Sequence, residues 1–195
     1  MTGTSRFRRP WWTFLRGFLR APRTVGSIAP SSRWLVQAML DTSSVEQAQV
    51  IAEFGPGTGV FTDEIIRRMR PDARLLVFEV EPQFVANLRE RVNDPRVVIV
   101  ADSAATLAEQ LERLHLPAVD CVVSGLPFTS LPRPVTHAIL ETTRAALRPG
   151  GVFVTYQYTP VLRSLLRSYF PTTRIRRIVL RNLPPALVFE CRTPV

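Results

Sequence analysis

The run Glu53-Phe54-Gly55-Pro56-Gly57-Thr58-Gly59 is where these 195 residues speak most directly of chemistry. It follows an apolar, strand-like run and opens a helix-like one. Glycines at such a junction let the backbone turn sharply and approach a ligand closely. The spacing is GxGxG rather than GxGxxG, and no Gly-Lys-Ser/Thr follows, so a P-loop does not fit. A glutamate two residues ahead of the first glycine suits a ligand carrying an amino-acid ammonium better than one carrying a pyrophosphate. Glu79 ends the second strand-like run, where a carboxylate can accept from both hydroxyls of a ribose. Glu81 competes with it, or is a solvated charge at a helix start. Asp102 closes the third run in Val100-Ala101-Asp102-Ser103. There an acid can accept an adenine amino hydrogen, cap a helix, or do both, and Ser103 joins the same candidate set. Three acids at successive strand ends converge on the carboxyl edge of a sheet, where α/β proteins hold ligands.

A second group lies further along. The fourth strand-like run leads into Ser124-Gly125-Leu126-Pro127-Phe128, and the fifth carries Tyr156 and Tyr158 near its end. Backbone carbonyls of Gly125 and Leu126 can orient an amine, and the ring of Phe128 can attract an alkylammonium. Tyr156 and Tyr158 alternate, so both can face one side. Together with Phe128 they would make an aromatic box, with core packing as the competing role. Tyr156, Tyr158, His137 and Glu81 are the polar candidates for taking a proton from an amine, and none is singled out. His115 has no role assigned.

The elements that must position these residues follow from hydrophobic patterning. Strand-like runs at 50–54, 74–80, 96–101, 119–124 and 151–157 alternate with helical patterns at about 60–69, 82–92, 103–114 and 134–147. Alternation of this kind predicts a parallel sheet of right-handed βαβ units. Two more strands at 173–181 and 186–192 are split by Asn182-Leu183-Pro184-Pro185, too short for a crossover helix, so that pair must be antiparallel. The expected fold is α/β and Rossmann-like: seven strands, five parallel plus a terminal hairpin. Helical segments at about 10–20 and 31–40 precede the sheet, the second with a serine cap after Pro30.

Charge is uneven. All 25 basic residues are arginine, against 16 acids, for a net charge of +9. Residues 1–23 hold six arginines and no acid, and residues 162–181 hold six more and no acid. Two such patches on a mildly acidic body call for a polyanionic partner, nucleic acid or an anionic membrane. In the first patch Trp11, Trp12, Phe14, Leu15, Phe18 and Leu19 fill one arc of a helical wheel. Arg16 and Arg20 lie opposite, and Arg8 and Arg9 precede it. This composition predicts a helix lying in a membrane interface. No apolar run is long enough to span a bilayer, and the N-terminal stretch does not read as a signal peptide. Cys121 and Cys191 sit in apolar runs and read as reduced core residues.

The glycine loop with its three acids, and the Leu147-Arg148-Pro149-Gly150-Gly151 turn, resemble the class I methyltransferases that use S-adenosyl-L-methionine and release S-adenosyl-L-homocysteine. That resemblance implies that residues 55–59 wrap the methionine part, Glu79 the ribose and Asp102 the adenine, with no metal. Relatives acting on nucleobase amines carry Asn or Asp where Gly125 stands. Further matches at 17–22, 26–32, 53–62, 125–127 and 182–186 resemble bacterial phospholipid N-methyltransferases. They imply stepwise methylation of phosphatidylethanolamine toward phosphatidylcholine, on a cytoplasmic protein bound peripherally to the inner face of the cell membrane; the alternative is an RNA or other small-molecule N-methyltransferase. Residues 1–23 would be its membrane helix and 24–195 its catalytic domain. The related ribosomal RNA adenine dimethyltransferases add a helical RNA domain for which this sequence leaves no residues, so nucleic acid is not expected as a partner. Oligomeric state stays open.

Overall fold

A computed structural model describes residues 32–194. The chain enters it at Ser32, whose Oγ accepts from the Leu35 N–H (3.2 Å) and caps α1 (Arg33–Ser43). The proposed N-terminal helix, with Arg8, Arg9, Trp11, Trp12, Phe14, Leu15, Arg16, Phe18, Leu19 and Arg20, lies outside the described residues.

Strands and helices then alternate: β1 (Val50–Phe54), α2 (Val60–Arg68), β2 (Arg74–Phe78), α3 (Pro82–Arg91), β3 (Val97–Val100), α4 (Leu107–Arg113), β4 (Val119–Ser124), α5 (Arg133–Ala146) and β5 (Leu147–Gln157). The chain closes with α6 (Leu162–Tyr169), β6 (Thr172–Val179) and β7 (Ala186–Arg192). One sheet holds all seven strands in the order β3-β2-β1-β4-β5-β7-β6. The first five strands run parallel, and β7 slots antiparallel between β5 and β6. This is the Rossmann-like sheet that the sequence predicts.

The strands are apolar on both faces because helices cover both. Alternate residues such as Phe54, Phe78, Val122 and Phe153 pack against α4, α5 and α6. Their neighbours Ile51, Val77, Val123 and Val154 pack against α1, α2 and α3. At the amino edge Asp120 ties three strands. Its Oδ2 accepts from the N–H groups of Gln49 and Val50 (2.8 and 2.9 Å), and its Oδ1 pairs with Arg148. The opposite edge is left for function.

Three local expectations need correction. The Leu147–Gly151 segment does not precede β5 but begins it, with a register irregularity against β4. β2 stops at Phe78 and β6 at Val179, each short of the apolar run. Helix α6 falls in a stretch read only as a basic patch. Its Leu162, Leu165, Leu166 and Tyr169 follow the i, i+3, i+4, i+7 rule, a signal masked by the arginines between them. Cys121 and Cys191 are free and buried, and burial pushes both thiols up to about 12. Among the described residues no helix is long and apolar enough to cross a membrane.

Candidate active site

Between the end of β1 and α2 the chain turns sharply on three glycines. Gly55, Gly57 and Gly59 all have positive φ (66°, 55° and 81°), a region that side chains rarely adopt. The Gly55 N–H donates to Phe78 O (2.9 Å), pinning the loop to β2. Arg91 closes it from the far side: its guanidinium pairs with Asp63 and donates to Thr58 O (3.3 Å). A Cβ at Gly59 would lie 2.0 Å from Arg91 Nη2, so the guanidinium occupies the space the missing side chain leaves.

Glu79 is 4% exposed and bonded to this loop. Its Oε2 accepts from the Gly57 N–H (3.2 Å), and its Oε1 accepts from Val80 and Glu81 N–H (2.8 and 2.9 Å). Burial raises its pKa, and the three backbone donors work against that rise. Oε2 has one donor and keeps lone-pair capacity for a further hydroxyl. Glu81 instead stands at the N-terminus of α3, ahead of Pro82.

A cleft opens at this carboxyl edge, enclosing about 580 Å³ including its open mouth. Gly55, Gly57, Glu79, Ser103, Gly125 and Leu126 are in its wall, and apolar surface from Phe78, Phe84, Ala104, Val135 and Ile139 completes it. Four strand ends thus deliver predicted residues to one place. Asp102 is half-buried beside it and accepts from the Ser103 N–H (2.7 Å). The helix cap weighed for Asp102 belongs to Ser103, whose Oγ accepts from Ala105 N–H (3.2 Å).

Glu53 is the most unusual group. It is 1% exposed, and neither carboxylate oxygen has a hydrogen-bond partner among the described residues. Burial pushes its pKa up to about 8; the Thr62 hydroxyl eases that shift, and the Glu79 charge adds to it. Strand alternation puts Glu53 among Val77 and Val123, on the α1–α3 side of the sheet, whereas Phe54 and Phe78 line the other side. Glu53 therefore lies across the glycine loop from the cleft rather than in its wall.

The acceptor side departs from expectation. Phe128 is 3% exposed and packs edge-on against Phe153 (6.1 Å between centroids), in the core beneath α5. Tyr156 lies on the opposite face, stacked on Phe61 (6.3 Å) and against Tyr158 (5.8 Å). The sheet separates Phe128 from the tyrosines, so the three-ring box is not assembled. Leu126 O accepts from Gln157 Nε2 (3.1 Å) and Phe128 N–H (3.0 Å), which leaves Gly125 as the better backbone candidate to face an amine. A Cβ at Gly125 would lie 2.8 Å from Gly55 O, so this turn has no room for a side chain. His137 hydrogen-bonds Tyr169 of α6 and is not in the cleft wall. Burial pushes the Tyr158 phenol up to about 12, which leaves it a donor and not a base near neutrality. Gln157 and Arg91 were missed in the sequence; their contacts come from distant segments, and no spacing rule reports them.

Comparison with known proteins agrees with this fold. The family model described as "Methyltransferase domain" matches residues 51–151. The ornithine lipid N-methyltransferase of Singulisphaera acidiphila is 33% identical over 186 residues, covering 94% of this chain and 96% of its own. A ribosomal RNA small subunit methyltransferase A of Staphylococcus carnosus is 24% identical over 98 residues, 48% of this chain and 32% of its own. Among solved structures, the N-methyltransferase NodS of Bradyrhizobium japonicum, bound to S-adenosyl-L-homocysteine, superposes with a TM-score of 0.62 at 13% identity. That match covers 82% of this chain and 84% of the other, and shows the fold.

Proposed function

This chain belongs to the methyltransferase-domain family with S-adenosylmethionine as its cofactor, and from that premise we propose that it methylates the primary amine of a membrane aminolipid. The observation that carries the proposal is the end-to-end similarity to an ornithine lipid N-methyltransferase. Phosphatidylethanolamine and ornithine lipid both present an amine on a two-chain lipid, and phosphatidylethanolamine, with its mono- and dimethyl forms, is the acceptor we favour.

The residues present fit the cofactor. The glycine loop would wrap its methionine part, with the buried Glu53 carboxyl across that loop drawing its ammonium; Glu79 would take its ribose, and the apolar wall with Ser103 and Ala104 its adenine. Asp102, beside Ser103, would meet the adenine amino group. The cofactor supplies an activated methyl group for in-line displacement. The protein's part is to hold a neutral amine in line and keep water away, which supplies much of the acceleration. Gly125 lacks the amide or acid that would read a nucleobase, and this supports a lipid acceptor over RNA. The tryptophan- and arginine-rich first 23 residues would bring the cleft to an anionic membrane at the inner face of the cell membrane.

Lipid extracts provide the test. Cells containing both phosphatidylethanolamine and ornithine lipid should accumulate mono-, di- or trimethylated forms of one of them when they express this chain. The Glu79→Ala variant should not produce them. Extracts unchanged by a well-folded chain would remove the lipid assignment.

A further inference from the structure

The cofactor cleft uses only half of the carboxyl edge. The other half, at β5, β7 and β6, carries several exposed apolar side chains: Val161 (75%), Ile178 (61%), Leu180 (75%) and Leu183 (84%). Register places them together. Leu187 of β7 pairs with Gln157 at the end of β5 and with Ile178 near the end of β6. The 180–185 turn therefore sits beside the segment leaving β5, and Tyr158 of that segment meets Asn182 of the turn.

This turn is built, not loose. Asn182 is 7% exposed; its Nδ2 donates to Pro184 O (2.8 Å) and its Oδ1 accepts from Ser32 N–H (3.3 Å). A turn anchored by a buried amide holds Leu180 and Leu183 outward at a cost that core packing does not offset. The surrounding charge has one sign. No acid occurs between Glu141 and Glu190, a stretch holding eight arginines, and Glu190 itself is paired with Arg176 and Arg192. Arg181 and Arg33 flank the half-exposed Trp34 (4.8 and 4.7 Å), and Arg177 is exposed nearby. Glu79, Glu81 and Asp102 all stand at the β2–β3 end of the edge.

We propose that the β6–β7 turn, with Val161 beside it, is a docking tip that inserts into an anionic lipid bilayer and turns the cofactor cleft toward the headgroups. Leucines flanked by arginines match the apolar and anionic layers of such a surface. Geometry supports this occupant. Three strand spacings of about 4.8 Å separate β4 from β6, so the tip stands roughly 14 Å along the edge from Gly125. A lipid held at the tip's depth can present its amine to the acceptor turn without leaving the membrane. Ser32, whose N–H is bonded to the tip, also sets the start of α1 against it, with Arg33 and Trp34 beside the turn.

The proposal rests on the lipid acceptor above, and two readouts separate them. Cys121 and Cys191 are buried, so Leu183→Cys in the full chain can carry a polarity-sensitive fluorophore at one place. Its emission should shift to the blue with vesicles of phosphatidylglycerol and phosphatidylethanolamine, and much less with pure phosphatidylcholine or in high salt. Leu180→Ser with Leu183→Ser should weaken flotation with the anionic vesicles roughly tenfold or more. Methylation of vesicle lipid should fall in parallel, while that of a short-chain, water-soluble aminolipid stays unchanged. A probe already blue-shifted without vesicles would overturn the proposal: residues 1–31 cover the tip if the shift ignores protein concentration, a second copy if it follows it. A probe unmoved on vesicles that the protein binds would also overturn it, by placing the membrane on another face. Loss of lipid turnover in the unmodified chain, with the vesicle-induced shift intact, would strike the acceptor assignment alone.

Discussion

Glu53 holds a proton that its unfolded counterpart does not. Its carboxyl titrates at about 8 in the folded chain against 4.5 ordinarily, because burial penalises the charge. Between those values the folded state binds more protons than the unfolded one, so this group's contribution makes stability fall as pH rises from about 4.5 to 8. Cofactor-free protein should therefore lose thermal stability across that window, and Glu53→Gln should flatten the loss. A cationic ammonium held across the glycine loop favours the charged carboxylate and works to expel the proton. Cofactor affinity should rise with pH up to about 8 in the unmodified chain and not in Glu53→Gln, which titration calorimetry at several pH values would read. Glu79 makes a different contribution, since three backbone N–H groups lose their acceptor when it is removed. Glu79→Ala should weaken cofactor binding by about 2–3 kcal/mol, the cost of a lost charged acceptor with its donors left unpaired. Both acids were legible in the sequence because strand ends and loop spacing locate them. That Glu53 would be orphaned, and on the far face, was not legible, since it depends on the register of three strands.

The loop between β1 and α2 works because two other elements close on it. Gly59→Ala forces a side chain into φ +81° and displaces Arg91, so it should cost about 1–2 kcal/mol. A melting curve would show this, together with weaker cofactor binding from the released Thr58. Gly125→Asn probes the neighbouring turn. Restoring the side chain of the nucleobase enzymes puts a Cβ 2.8 Å from Gly55 O, pushing the end of β4 off the glycine loop. It should reduce cofactor affinity and lipid turnover together, without creating activity on RNA. Helix α6 rests on Leu166, fully buried against the sheet, and Leu166→Ala should cost about 2–5 kcal/mol by chemical denaturation. The sequence held the signal for that helix in its leucine spacing, but Arg163 and Arg167 within it, continuous with four more arginines up to Arg181, masked the apolar stripe. Phe128 was the converse error. Its place after a strand suggested a stacking surface, but the Leu126-centred turn folds it back under α5, and only tertiary packing decides between those outcomes.

At the scale of the whole molecule, one edge of one sheet carries the candidate site. Strand direction was predictable because alternating strands and helices build parallel right-handed units, and the Asn182–Pro185 turn is too short for anything but an antiparallel last pair; the order within the sheet was not. What patterning could not show is that this same edge divides into a cleft with acids and a tip with leucines and arginines. The decisive measurement offers purified full-length protein labelled S-adenosylmethionine, ribosomal RNA and vesicles of phosphatidylglycerol with phosphatidylethanolamine in one tube, followed by separation of lipid from RNA. Label should enter phosphatidylethanolamine and its mono- and dimethyl forms, fall away in Glu79→Ala, and leave the RNA at background. Label in RNA with unlabelled lipid would contradict the account.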